Sequence, residues 1–293
     1  MSIFTGSGVA IVTPFKDDKT IDFEKFENLV NFQIENSTDA IIVCGTTGEP
    51  STMTEQEKLD LIKFCVEKVN RRVPVICGAG TNNTAQSIDF CKKCEALGVD
   101  GLLIVTPYYN KTTQKGLIQH YKTIANSTTL PIILYNVPSR TGLNMMPKTV
   151  LELSKIKNIV GIKEASGNIS QVVEIASLCN DDFYIYSGND NQILPILSIG
   201  GKGVISVMAN IIPKDTHNII KHFFDNNIEQ SKKLQLKTVE LSNTLFCEVS
   251  PIPVKTALEL MGYGKANFRE PLVNMEEENI QILKKAMINY NLI

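Results

Sequence analysis

The sequence has little net charge and no long apolar run. It carries 29 basic and 31 acidic side chains among 293 residues, a formal net charge of −2, so it lacks the basic excess typical of proteins that bind nucleic acid or acidic membranes. No apolar stretch approaches the roughly 20 residues that a membrane-spanning helix needs. The first residues lack the basic segment that opens a signal peptide. These absences predict a cytoplasmic protein without nucleic-acid or membrane partners.

Metal-binding and disulfide patterns are also scarce. The only three histidines, His120, His217 and His222, lie in helix-like stretches, which argues against a histidine-rich metal site. The seven cysteines are odd in number and several fall in apolar periodic segments, which indicates reduced, buried thiols. Cys91 and Cys94 form a Cys-x-x-Cys pair inside a helical pattern with no second ligand pair nearby. We therefore expect core packing there rather than zinc or redox chemistry, and no metal site.

What the sequence does contain is a strand followed by a helix, repeated eight times. The strands are continuous apolar runs, which is typical of a parallel sheet covered on both faces. Helix starts are marked by the capping box of Thr54 and Glu57 and by Asn83 and Asn168. The strands with their following loops are predicted at 7–15, 39–49, 73–80, 100–110, 130–142, 159–162, 182–190 and 200–210.

Eight such units joined by right-handed crossovers predict a (β/α)8 TIM barrel. The structural rival, a doubly wound open sheet, is disfavoured because no Gly-x-Gly-x-x-Gly turn follows the first strand. The barrel is predicted to occupy residues 1–227. Residues 228–293 are interpreted as a C-terminal helical segment, wholly helical, with helices at 229–246, 253–261 and 276–291. No low-complexity linker precedes this segment, so we do not expect it to fold independently.

The residues that suggest chemistry follow the predicted strands at their C-terminal ends, where barrel enzymes build their active sites. Lys163 comes directly after the apolar run 159–162, and Tyr135 ends the preceding strand. Partial desolvation of such a lysine disfavours its charged form and exposes an amine that can form a Schiff base with a carbonyl substrate. Taken singly, each of these residues also fits a surface lysine or a polar turn. Their convergence on one mouth favours catalysis.

Neighbouring residue types narrow the chemistry. Tyrosine and threonine hydroxyls can shuttle the protons that imine formation and hydrolysis require. Arg140 suits an anionic substrate because its guanidinium matches a carboxylate. The turn of Thr46, Thr47 and Gly48 offers hydroxyls and N–H groups to a second carboxylate. The residues alone therefore predict a Schiff-base lyase or synthase that acts on keto acids.

Three motifs, in their order and spacing, resemble the dihydrodipicolinate synthase family of the pyruvate-dependent class I aldolase superfamily. They are GTTGE at 45–49, YNVPSRTG at 135–142 and GIKEASG at 161–167. The likeness also covers TPYYN at 106–110, GVISVMAN at 203–210 and the helical tail. It implies a lyase that condenses pyruvate with L-aspartate 4-semialdehyde to give 4-hydroxy-tetrahydrodipicolinate, in lysine and diaminopimelate biosynthesis.

The resemblance implies catalytic roles for four residues. Lys163 would form the Schiff base with pyruvate, so no separate cofactor is expected. Tyr135 would be the central acid and base, and Thr46 would link it to Tyr109 in a proton relay. Because Tyr109 of relatives reaches the active site of a neighbouring subunit, the resemblance also implies a homo-oligomer, a tetramer with the dimer as its minimal unit.

Substrate binding would fall to four further residues. The resemblance assigns Thr47 to the pyruvate carboxylate and Arg140 to the carboxylate of the semialdehyde. Gly188 and Ile205 match positions that line the pocket through backbone groups. Many relatives have an aspartate where this chain has Asn189, which puts one polar contact to the second substrate in question.

A second difference from relatives, after Asn189, concerns feedback inhibition by lysine. Lysine-inhibited relatives carry histidines in the helix after GTTGE and a glutamate after the third strand. This chain has Glu55, Lys58 and Gln86 at those positions, and Pro50 replaces a serine. A bound lysine would lose its glutamate and meet the like charge of Lys58. The sequence therefore predicts weak or no inhibition by lysine.

Two alternatives compete with this interpretation. A sister aldolase, such as N-acetylneuraminate lyase or a 2-keto-3-deoxy-sugar-acid aldolase, shares the lysine and the tyrosine but usually lacks an arginine at the position of Arg140. A barrel that has lost catalysis and only binds a keto acid is the other, and the presence of Lys163, Tyr135 and Thr46 counts against it.

Overall fold

The computed structural model describes residues 3–293, and its centre is a closed barrel of eight parallel strands. Each strand pairs with the next along the chain, and the first pairs with the last. The predicted TIM barrel is thus confirmed. The strands are β1 (Gly6–Ala10), β2 (Ala40–Val43), β3 (Val75–Gly78), β4 (Gly101–Val105), β5 (Ile132–Asn136), β6 (Ile159–Glu164), β7 (Tyr184–Ser187) and β8 (Gly203–Ser206).

Helices follow the strands and surround the barrel. Those of the barrel are α1 (Phe23–Glu35), α2 (Glu55–Val69), α3 (Thr84–Ala96), α4 (Gln114–Ala125), α5 (Pro138–Thr141), α6 (Pro147–Ser154), α7 (Ile169–Leu178), α8 (Ile193–Leu197) and α9 (Pro213–Phe224). The tail adds α10 (Ile228–Lys237), α11 (Val239–Thr244), α12 (Ile252–Leu260) and α13 (Glu277–Tyr290). Over the described part of the chain, no helix is both long and apolar enough to cross a membrane.

The predicted helix starts are confirmed in their hydrogen bonds. Thr54 and Glu57 form a reciprocal capping box at the start of α2. Asn83 accepts from two backbone N–H groups at the start of α3, and Asn168 accepts from Gln171 N at the start of α7. These side chains satisfy N–H groups that have no partner within the helix.

β1 is shorter than predicted, because a side chain replaces strand pairing near the rim, whereas β6 extends two residues beyond its predicted end, to Glu164. The first strand was predicted through 7–15 but ends at Ala10. Beyond it, the Asn210 side chain accepts from Val12 N (3.1 Å) and donates to Ala10 O (2.9 Å). Phe15 instead forms an isolated antiparallel bridge with Ile21. The predicted unit 130–142 likewise contains the short helix α5 after β5.

Two of the three helices predicted for the tail, 253–261 and 276–291, are confirmed as α12 and α13, but the tail is not wholly helical. The expected helix 229–246 is divided between α10 and α11 at Thr238, whose hydroxyl donates to Gln235 O. Such side-chain bonds compete with helical hydrogen bonding. Between α12 and α13, residues 261–276 form turns and irregular chain. The domain boundary after residue 227 stays a prediction, and the tail residues Leu241 and Leu283 pack in the same hydrophobic core as the barrel helices.

Two apolar layers hold the barrel. One fills its interior and includes Phe4, Ile133, Tyr186 and Ile205; the other lies between the strands and the helices. The outer layer contains Cys91 and Cys94, both buried on α3, and burial raises the pKa of Cys91 to about 12. These thiols are free and lie where the apolar pattern predicts core residues.

His120 in α4 makes the stability of the fold depend on pH. Its ring is buried, and burial lowers its pKa from 6.5 to about 4. Between those values the unfolded chain binds a proton that the folded chain does not, so stability falls as the pH falls. From this histidine alone we expect the free energy of unfolding to drop by about 2 kcal/mol between pH 7 and pH 5. Urea unfolding at both pH values checks this, and an equal drop in His120→Asn would contradict it.

Candidate active site

Lys163 and Tyr135 lie side by side at the C-terminal rim of the barrel. Lys163 on β6 is in register with Tyr135 on β5, and its Nζ lies 4.4 Å from the centroid of the tyrosine ring. The two residues are 5% and 7% exposed. The face of an aromatic ring attracts a cation, so the ring favours this position of the ammonium group. The structure thus brings the predicted nucleophile and the predicted acid and base together.

A buried hydrogen-bond network holds these two strand ends in register. Glu164, beyond the end of the predicted strand 159–162, is the buried last residue of β6 and lies opposite Asn136 of β5. Its carboxylate accepts from Asn136 Nδ2 (3.0 Å) and from Ser166 N (2.7 Å). Burial raises the pKa of Glu164, and these hydrogen bonds oppose that shift. Since Tyr135 and Lys163 directly precede this pair, the network fixes their relative position.

A 3₁₀ turn after β2 carries the two predicted threonines. The turn spans Thr46–Gly48, and Thr13 Oγ1 anchors it by donating to Gly48 O at 2.8 Å. Thr47 is 4% exposed, whereas Thr46 is exposed and lines the cleft beside the barrel mouth. Thr47 is therefore enclosed by the fold, whereas Thr46 is open to the cleft.

The cleft has a volume of about 670 Å³ and joins the barrel mouth to the region around α2 and α3. Three predicted site residues, Thr46, Tyr135 and Arg140, line it. It is also lined by the positions discussed above for inhibition by lysine, which are Pro50, Glu55, Lys58 and Gln86.

The electrostatics of the outer part of the cleft are set by two lysines. Lys93 pairs with Glu55 and, at 2.6 Å, with Asp89. Lys58 Nζ lies 4.9 Å from the centroid of the Phe90 ring. Within residues 3–293, no carboxylate lies within 4 Å of Lys58 Nζ. The acidic side chains here are therefore already paired, while Lys58 keeps an uncompensated charge.

Arg140 sits on α5, and the C-terminal segment holds it in place. Its guanidinium is exposed to the cleft, and its Nη2 donates to Ser250 O at 3.2 Å. The Ser250 carbonyl occupies one of the five N–H donors of the guanidinium group, so the other donors stay available to a carboxylate.

Gly188 and Ile205 lie on the other side of Lys163 and do not line the cleft. Gly188 N donates to Glu164 O at 2.7 Å. A Cβ at Gly188 would lie 2.5 Å from Ala165 Cβ, so only glycine fits beside the strand that carries Lys163. Ile205 is fully buried in β8 inside the barrel.

Tyr109 is not brought to the site within one chain. It is 92% exposed, and its backbone has a left-handed φ of 64°. Among the residues that the structure describes, no side-chain hydrogen bond joins Thr46, Tyr135 and Tyr109. The predicted proton relay is therefore not assembled in the isolated chain.

Two buried charged residues near the rim, Asp190 and Lys255, were not predicted from the sequence as supports of the site. The Asp190 carboxylate accepts hydrogen bonds from Val207 N (3.2 Å) and Met208 N (2.8 Å). Burial raises the pKa of Asp190, and the positive charge of Lys163 opposes that shift. Lys255, on α12, is buried and pairs with Glu49 of the GTTGE motif. The available signal was a lysine inside the apolar helical pattern IPVKTALEL of α12.

Comparison with known proteins gives one consistent result. The model of the dihydrodipicolinate synthetase family matches residues 3–289. A 4-hydroxy-tetrahydrodipicolinate synthase of Caldicellulosiruptor saccharolyticus is 58% identical over 292 residues, covering 100% of this chain and 99% of that protein. The crystal structure of dihydrodipicolinate synthase from Thermotoga maritima superposes with a TM-score of 0.98 at 44% identity, over 100% of both chains. That of the Cyanidioschyzon merolae enzyme, solved with lysine bound, gives 0.97 at 41% identity, over 100% of both chains.

Proposed function

The chain belongs to the dihydrodipicolinate synthetase family, and from that membership we propose that it condenses pyruvate with L-aspartate 4-semialdehyde. The product is 4-hydroxy-tetrahydrodipicolinate, a precursor in lysine and diaminopimelate biosynthesis, and the enzyme is a lyase of the class I aldolase type. The observation that carries the proposal is the buried Lys163 ammonium held 4.4 Å from the Tyr135 ring centre at the barrel mouth.

The reaction begins at Lys163. Its neutral amine attacks the keto carbon of pyruvate, water leaves, and an imine forms that links pyruvate covalently to the chain. Loss of a methyl proton gives an enamine, whose carbon attacks the aldehyde of the semialdehyde and forms the new C–C bond. The amine of the second substrate then attacks the imine carbon, closes the ring and releases Lys163. One water is lost per product, and the chain itself carries the pyruvyl group.

The other site residues serve this sequence. Tyr135 passes protons to and from the reacting oxygen and nitrogen atoms, since its phenol lies beside Lys163. Thr46 connects Tyr135 to Tyr109 in the relay. Thr47 receives the pyruvate carboxylate and Arg140 that of the semialdehyde. They fit these roles because Thr47 is buried at the mouth and Arg140 faces the cleft.

Backbone groups complete the pyruvate site in this proposal. Gly188 directly follows β7, the strand next to that of Lys163, and Ile205 lies on β8, which closes the barrel. The clash that a side chain at Gly188 would make with Ala165 explains why backbone rather than side-chain atoms line that wall.

A coupled assay with pyruvate and L-aspartate 4-semialdehyde tests the function. We expect turnover of this pair and none when the semialdehyde is replaced by a sugar aldehyde such as N-acetylmannosamine. A Schiff base with pyruvate but no condensation on the semialdehyde would favour a sister aldolase. Absence of both would favour a barrel without catalysis.

The exposure of Tyr109 leads us to propose a homodimer as the minimal active unit, and a tetramer built from two dimers. A tyrosine that is 92% exposed at the rim can enter the site of a second copy. We expect Tyr109→Phe and Lys163→Ala each to have little activity alone. Mixed and allowed to exchange subunits, they form heterodimers with one site that contains both native residues, so about one quarter of the wild-type activity should return. If mixing restores nothing, Tyr109 acts within its own chain or not at all.

We further expect weak or no inhibition by L-lysine. A lysine in the outer cleft would meet the unpaired Lys58 charge, and Glu55 is already paired with Lys93. Initial rates across a lysine titration check this. The double variant Lys58→His with Gln86→Glu should gain inhibition, because it removes the fixed positive charge and adds a carboxylate. Sub-millimolar inhibition of the unmodified chain would contradict the prediction.

A further inference from the structure

Lys255 is a buried lysine that the proposed reaction leaves without a role. It is 4% exposed and stands in α12 among apolar residues. A buried ammonium group is costly unless it is paired and hydrogen-bonded. The residues around Lys255 must therefore compensate for the cost of burying its charge.

The surroundings of Lys255 are built to hold its charge. Its Nζ donates to Glu49 Oε1 at 2.5 Å and to Asn267 O at 2.6 Å. The same atom lies 4.5 Å and 4.9 Å from the ring centroids of Phe15 and Phe268. Burial lowers the pKa of Lys255 and raises that of Glu49, and each partner's charge opposes the other's shift. The pair is thus specific and shielded from solvent.

Glu49 stands at the end of the turn that carries Thr46 and Thr47. Its backbone is left-handed, with φ 56° and ψ 40°, a conformation that disfavours residues other than glycine. Its N–H donates to Thr46 O at 3.2 Å, and its carbonyl accepts from Thr52 Oγ1 at 3.0 Å. A strained residue persists only where its surroundings hold it. The buried ion pair with Lys255 provides such a hold.

We propose that Lys255 is a positioning residue: through Glu49 it fixes the Thr46–Gly48 turn, so that Thr47 meets the pyruvate carboxylate and Thr46 stays beside Tyr135. The inference rests on the proposed function, because it assumes that pyruvate is the ligand of the turn. A second contact points the same way, since Ser250 O, five residues earlier, holds Arg140. The tail is therefore part of the active site as well as of the hydrophobic core.

The competing interpretation is that the ion pair only fastens the tail to the barrel. In that case its loss lowers stability but leaves the folded enzyme's affinity for pyruvate unchanged. Kinetic constants distinguish the two interpretations, and so does a double-mutant cycle that combines changes at Lys255 and Thr47. A purely structural contact should show no energetic coupling to a single substrate-binding hydroxyl.

Lys255→Met is the direct test, since it keeps the length of the side chain and removes the charge. We expect KM for pyruvate to rise about tenfold or more, with a smaller fall in kcat. The matched control is Val254→Ala on the same helix; Val254 is fully buried, so this change destabilises the fold without touching the pair. The control should keep the wild-type KM. Equal KM values for Lys255→Met and wild type would overturn the proposal.

The coupling to Thr47 is measured with Thr47→Val and the double variant. If Lys255 acts through the turn, Lys255→Met should add little to the loss already caused by Thr47→Val. Effects on kcat/KM that multiply would overturn the proposal. Should Lys255→Met fail to fold, Glu49→Gln carries the test, because it keeps the size of the side chain and removes only its charge. An unchanged pyruvate KM in Glu49→Gln would then overturn it. Lack of turnover in the wild type contradicts the proposed function instead.

Discussion

Replacing Lys163 with alanine is expected to lower kcat on the order of 10⁴-fold or more, because no other group can form the imine with pyruvate. The loss should appear in kcat/KM as well, since the covalent step precedes everything else. Steady-state rates in the coupled assay measure it, with circular dichroism to verify that the variant folds.

The matched control for this change is Lys202→Ala. Lys202 also lies near a tyrosine ring, with its Nζ 6.0 Å from the Tyr184 centroid, but it precedes β8 and so stands at the opposite end of the barrel. Its replacement should leave kcat unchanged. Residual activity of Lys163→Ala near that of Lys202→Ala would contradict the assigned role of Lys163.

The second large effect is expected for Tyr135→Phe, which keeps the ring beside the Lys163 ammonium and removes only the hydroxyl. If that hydroxyl transfers the protons, kcat should fall by about 10² to 10⁴-fold, the usual contribution of a positioned acid or base. The pyruvate imine should still form, but slowly, because the nucleophile and its packing are intact. Stopped-flow or quenched-flow kinetics would separate imine formation from turnover.

Tyr186→Phe is the control for this change. Tyr186 flanks Lys163 from β7, in register with it, and its hydroxyl donates to Phe4 O at 2.7 Å. This hydroxyl is structural, so we expect its loss to cost about 1–3 kcal/mol of stability and to leave kcat near the wild-type value. Equal kinetic losses in the two variants would show that the barrel interior, not a proton shuttle, is being disturbed.

The barrel was predictable because its signals are local and repeated. Eight apolar runs, each followed by a capped helix, leave few other folds, and the caps at Thr54, Asn83 and Asn168 form as their spacing predicts. Strand ends were less predictable. β1 stops at Ala10 because a side chain 200 residues away, that of Asn210, takes the next hydrogen bonds.

The proximity of Lys163 and Tyr135 was predictable from strand order. Lys163 and Tyr135 end consecutive strands, and consecutive strands of such a barrel are neighbours. The supporting charges were not predictable in this way. Glu164 lies outside the predicted strand 159–162. Lys255 is separated from Glu49 by 206 positions, so no local pattern links these two residues. A buried ion pair between segments that are distant in the sequence can be identified only in the folded structure.

Tyr109 marks the other limit. Its role is proposed from the family resemblance alone, and in one chain its side chain is exposed and makes no hydrogen bond to Tyr135. One chain carries the strand residues of the proposed site but only half of any relay that crosses between subunits. The subunit-mixing experiment is therefore the appropriate test of that part of the mechanism.

The proposal that Lys163 forms the Schiff base is tested most directly by trapping the pyruvate imine with borohydride. Peptide mass spectrometry then identifies the modified residue. Lys163 and Lys255 are the two buried lysines of the described chain, so the experiment distinguishes the nucleophile from the positioning residue. We predict a single reduced pyruvyl adduct on Lys163, absent from Lys163→Ala. No adduct, or an adduct on Lys255 in its place, would contradict the assignment of Lys163 as the nucleophile.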